Sequence, residues 1–109
     1  METKKFQYFY LQQDSGNLLK IQCLFEDFDK EILEEARGVF EVILIGTKLN
    51  VGIFLDKLKR IPSEFLFMLL NFAKDLKEEN RNLAAFYPNI IFEHYIEHFH
   101  LENLIQIHE

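Results

Sequence analysis

The chain has 109 residues, enough for one domain spanning 1–109 around a single core and too few for a second. Hydrophobic residues make up 49% of it, with 12 Phe and 4 Tyr, which supports a packed interior and excludes a disordered chain. The formal net charge of −6 gives a surface that repels phosphate backbones and anionic lipid, so nucleic acid and membrane surfaces are excluded as partners.

Cys23 is the only cysteine, so no internal disulfide is expected and a reducing, cytoplasmic setting fits. The start, METKKFQYFY, has neither an apolar run nor a small-residue cleavage site, so it does not read as a signal peptide. No uninterrupted apolar stretch approaches the roughly 18 residues that span a bilayer.

In chain order, residues 6–11 are aromatic and β-prone, and 18–25 (LLKIQCLF) is a second strand-like run. Asp14-Ser15-Gly16-Asn17 between them is a turn signal of hairpin length, so the two strands should pair antiparallel. The stretch FDKEILEEARGVFEVILIG has two readings, because 39–45 taken alone is a continuous apolar run that could be a strand. Ile32, Ala36, Val39/Phe40 and Ile43 recur at steps of three and four over a longer window, and Asp29 stands ready as N-cap, so helix is favoured. Gly38 argues against it by about 1 kcal/mol relative to Ala.

Residues 50–55 (NVGIFL) suit a strand buried on both faces. Residues 63–79 form the clearest helix, with Leu66, Leu69/Leu70, Ala73 and Leu76 on one stripe. Residues 83–86 read as a strand and 89–99 as a helix with Ile91/Phe92, Tyr95/Ile96 and Phe99 inward. A last short strand is expected at 104–107. The order β-β-α-β-α-β-α-β predicts an α/β fold: a mostly parallel sheet of four to five strands, an N-terminal hairpin and about three helices. Three helices do not easily cover both faces of such a sheet, so one face should stay open.

This element order and the residues from 53 onward resemble a STAS domain, the fold of bacterial anti-sigma-factor antagonists. That family shows a strand ending in Leu-Asp, a loop, an Ile-Asp-Ser-Ser-Gly-Leu switch and a Leu-rich helix, then a strand, a third helix and a closing Leu-x-x-Leu. The matching pieces here are IFLD at 53–56, IPSEFLFMLLNFAKDLKEENRNLAAF at 61–86 and FHLENLIQI at 99–107. The resemblance implies a non-enzymatic signalling domain without cofactors, docking on a regulatory protein such as an anti-sigma factor or kinase, or on another STAS protein. It also makes Ser63, which matches the first serine of the switch, the candidate phosphoacceptor. Three switch letters differ: Pro62 replaces the acid, Glu64 the second serine and Phe65 the glycine. The loop from Asp56 to Ile61 is shorter than usual, and His100 replaces the glycine that ends the third helix.

Read physically, Ser63 before an apolar-periodic run is a natural N-cap needing no signalling role. Phosphate there would be favoured by the helix dipole and opposed by Glu64, which could itself mimic a charged state. Phe65, Met68 and Phe72 form a further apolar stripe on the same helix, with Phe67 near it, which implies either a wider core or a covered interface. With Asp56, Pro62, Ser63 and Glu64 they make the candidate partner-binding set, and self-association to a homodimer through Phe65, Met68 and Phe72 is the alternative. His94-Tyr95-Ile96-Glu97-His98 matches H-x-x-E-H, the pattern of zinc hydrolases, but lacks a third ligand and lies opposite the inward stripe. His94 and His98 are therefore only weak metal candidates. Cys23 in an apolar strand reads as core, and the glycines make no phosphate-binding pattern.

Overall fold

The computed structural model describes residues 6–14 and 16–109; residues 1–5 and Ser15, the second residue of the expected turn, lie outside the described residues. The elements follow the predicted order: β1 (Phe9–Gln13), β2 (Leu18–Cys23), α1 (Lys30–Gly46), β3 (Asn50–Phe54), α2 (Ser63–Glu78), β4 (Leu83–Phe86), α3 (Ile90–His98) and β5 (Ile105–His108). β1 starts later than expected because the Gln7 and Tyr8 amides donate to the Glu35 carboxylate on α1, at 2.9 and 2.6 Å. β5 is displaced by one residue because the Leu104 and Ile105 amides turn back onto the Leu101 carbonyl.

The five strands lie side by side in sequence order, β1 antiparallel to β2 and every later pair parallel. Right-handed crossovers between sequential parallel strands carry all the helices to one face. The side-chain pattern agrees. Leu19, Val51, Leu83 and Ile105 stand in one register row and are all buried. The opposite face presents Gln22, Phe54, Phe86 and His108 in one row, none of them fully buried. On that open face the Phe54 and Phe86 rings stack at 4.7 Å, and His108 stacks on Phe86 at 4.8 Å.

Gly52 lies under this ladder. A Cβ there would come within 2.7 Å of Phe86 Cε2, and the ring cannot swing aside without leaving one of its two stacking partners. By contrast, Gly38 sits mid-helix with open space where its Cβ would be. α1 runs straight through it, so 39–45 is helix, with Asp29 Oδ1 accepting from the Ile32 amide as N-cap.

α2 and α3 end alike. Asn80 and His100 take left-handed φ of 60° and 56°, and the next amides, of Arg81 and Leu101, bond back to Leu76 and Ile96. These are Schellman closures built without glycine. His100 thus occupies the conformation for which a glycine is the least strained choice. The α2 closure aims Arg81 inward, where it is 3% exposed, the one buried charged side chain among the described residues. Its guanidinium reaches Leu49 O at 2.7 Å, Ile43 O at 3.3 Å and Glu79 at 3.0 Å. A cation thereby meets carbonyl oxygens near the C-terminus of α1, where the dipole favours it. No helix among the described residues is long and apolar enough to cross a membrane.

Cys23 ends β2 within the core. Burial first and the Asp56 carboxylate second push its thiol up to about 12. Below about pH 9 both folded and unfolded chains hold that proton, so the contribution to stability is complete there. Above it only the unfolded chain releases the proton, so stability falls by up to roughly 1.4 kcal/mol per pH unit. In urea unfolding between pH 8 and 11, Cys23→Ala should flatten the alkaline loss seen in the parent; an identical slope would contradict this. Under neutral conditions Gly38→Ala should raise stability by about 0.5–1 kcal/mol. Gly52→Ala should lower it by about 1–2 kcal/mol, and equal effects of the two would refute the contrast drawn between them.

Candidate docking site at the start of α2

The connection from β3 to α2 leaves the carboxyl edge of the sheet. Leu55 follows the strand into the core, and the Leu58 amide bonds back to its carbonyl at 3.1 Å. This turn exposes Asp56 and Lys57 and drops Leu58 into the core. The Lys59 amide then donates to the Glu26 carbonyl at 2.9 Å, stitching the loop to the segment before α1. Two surface ion pairs, Lys59–Glu26 and Arg60–Asp27, run alongside. Exposed pairs contribute about 0–1 kcal/mol each, so the Leu58 anchor and the backbone bond hold the loop more firmly than charge does.

Pro62, extended at φ −68° and ψ 154°, is the residue that caps α2. It has no side-chain acceptor, and no side chain closes this helix end. Ser63 is the first residue inside the helix, one position past the cap. The expectation that its hydroxyl serves as N-cap is therefore corrected. Proline fixes the extended conformation that the cap position needs and moves the serine into the first turn. Ser63 is exposed there, with no cap bond to hold its hydroxyl.

Asp56, Ser63 and Glu64 are exposed and Pro62 is half-buried. Ser63 faces the α3 side and Glu64 the α1 side, beside Lys30, Glu34 and Arg37. Phe65 and Phe72 do not join them. They are 0% and 2% exposed, so of the two readings of their stripe, wider core or covered interface, these two residues take the first. Phe65 packs on Phe28 at 4.5 Å, and Phe72 stacks on Phe40 of α1 at 4.3 Å. α2 is the middle helix of the row, with α1 packed on one flank and the sheet at its base. A helix so placed is apolar round most of its circumference without any second molecule. Met68 is half-buried in the groove between α1 and α2, beside Arg37, Glu41 and Asp75. Phe67, 58% exposed, is the large apolar side chain α2 does present to solvent.

The histidines stay apart from this rim. His94 and His98 are exposed on α3, and among the described residues no group of three or more His, Cys, Asp or Glu gathers to hold a metal. α3 buries only Phe92 and Ile96, a single stripe suited to a short outer helix. Ile91 and Phe99, expected inward, are 76% and 55% exposed. Ile91 instead forms part of a cavity of about 350 Å³ between the starts of α2 and α3, with Lys59, Arg60, Ser63, Leu66 and Tyr95. Sequence reasoning missed this cavity. Its one visible signal is the run Lys57-Leu58-Lys59-Arg60, cationic in an acidic chain.

No known family profile matches the sequence, and no curated protein sequence matches it. Solved structures do. The Bacillus cell fate determinant SpoIIAA in its phosphorylated form superposes with a TM-score of 0.74 at 14% identity, covering 93% of this chain and 91% of that one. The unphosphorylated form, described as an anti-sigma factor antagonist, gives 0.70 at 14% identity over 82% and 81%. A candidate anti-sigma factor antagonist from Thermotoga maritima, tm1081, gives 0.76 at 17% identity over 93% and 86%. At these identities the likeness establishes the backbone arrangement. With its five-stranded mixed sheet, its three one-sided helices and the rim at the start of α2, this chain has a STAS-like fold.

Proposed function

We propose that this chain is a non-enzymatic, cytoplasmic regulatory domain that docks on a protein partner through the rim formed by Asp56, Pro62, Ser63 and Glu64. The partner class is an anti-sigma factor or its kinase, or another STAS protein. The observation that carries the reading is the state of Ser63: exposed, in the first turn of α2, with a hydroxyl that no cap contact occupies. SpoIIAA, whose fold this chain shares, has been solved both with and without phosphate.

Phosphate on Ser63 would add close to two negative charges where the helix dipole favours them. Glu64 adjoins on the same turn and opposes it, while Lys59 and Arg60 lie on the cavity wall they share with Ser63. A partner seated over this rim would meet that added charge directly. The alternative, a homodimer through Phe65, Met68 and Phe72, loses two of its three contact residues to the core.

Capture with tagged protein from its native cells, followed by mass spectrometry, identifies the partner and any phosphate on Ser63. Ser63→Asp should then weaken that partner's affinity at least tenfold, about 1.4 kcal/mol, while Ser63→Ala binds as the parent does. Equal affinity of the two variants would rule out Ser63 as the switch.

A further inference from the structure

We infer that the cavity between the starts of α2 and α3 binds a small amphipathic anion, its carboxylate held at Lys59 and Arg60 and its aliphatic body against Leu66, Ile91 and Phe92. A volume of about 350 Å³ falls in the roughly 300–1,000 Å³ range of small-molecule sites. The walls are mainly apolar, with a few convergent polar groups, as such sites require. Tyr95 supplies an aromatic side. Asn89 commits its carbonyl oxygen to the Phe92 amide, which leaves its NH₂ group as a donor.

Charge selects the ligand class. The chain carries 18 Asp and Glu against 12 Lys and Arg, yet no carboxylate lines this cavity. The groove beside β5, by contrast, is lined by Glu93, Glu97, Glu102 and Glu109. Lys59 and Arg60 do face Glu26 and Asp27, but both pairs are solvent-exposed and weak, so they leave the cations able to meet a second anion. A neutral ligand would leave these two charges unused, and a cation would be repelled. The cavity borders the docking rim, since Ser63 lines its wall, but the proposal does not depend on the docking reading.

The probe is sodium decanoate, titrated into ¹⁵N-labelled full chain, with decyltrimethylammonium as the charge-inverted control. The expected result is saturable one-to-one binding with Kd below about 1 mM, with amide shifts centred on residues 59–66 and 89–95. Decyltrimethylammonium should bind at least tenfold more weakly. Ile91→Glu alters an exposed wall residue, and Lys59→Gln with Arg60→Gln alters only surface side chains, so both variants should keep the parent spectrum elsewhere. Each should weaken decanoate at least tenfold. Absence of saturation, equal binding of the two detergents, or unchanged affinity in both variants would overturn the proposal.

Discussion

Sequential strand order is the constraint from which the other features follow. Parallel neighbours joined by right-handed crossovers must send every helix to the same side of the sheet. The helices then lie in a row over it, and α2 becomes the enclosed one. That position accounts for its unusual composition. Phe65, Leu69, Phe72 and Leu76 fill its centre, while Leu66 and Ala73 complete a broad buried arc. The same constraint leaves the other face of the sheet bare, where Phe54, Phe86 and His108 shield one another by stacking.

The start of α2 inherits its properties from this arrangement. It emerges at the carboxyl ends of the strands, where crevices form in open α/β sheets. Leu58 fastens the preceding loop from below, and the Glu26 carbonyl fastens it from the side. Proline rather than serine occupies the cap, so an exposed hydroxyl is presented on a rigid support instead of serving the helix. Charge is distributed unevenly as well. The carboxylates crowd onto helices and loops, while Lys57, Lys59 and Arg60 cluster on the β3–α2 connection.

Most of the fold was legible in the sequence because its elements carry strong local signals. The α1 stripe of Ile32, Ala36, Val39, Phe40 and Ile43 was read residue for residue, and Gly38 was outweighed by the longer periodicity. The errors cluster where tertiary neighbours decide. In α2 the expected stripe of Leu66, Leu69, Ala73 and Leu76 is buried, and only the presence of α1 beside it extends the burial to Phe65 and Phe72. In α3 the apolar pattern is wider than the surface available to bury it, so Ile91 and Phe99 face outward. Ser63 was assigned the cap because serine is the better capping side chain, but Pro62 holds the required backbone angles. Arg81 gave no local warning of its burial, since the carbonyls that receive it belong to Ile43 and Leu49, 38 and 32 residues earlier.

Amide hydrogen exchange of the chain, alone and bound to the partner recovered from its own cells, separates a recognition edge from a recognition face. Slowed exchange confined to residues 56–66 is the result this account requires. Protection falling instead on the bare side of the sheet, around 52–54 and 84–86, with 56–66 exchanging as in the free chain, would contradict it.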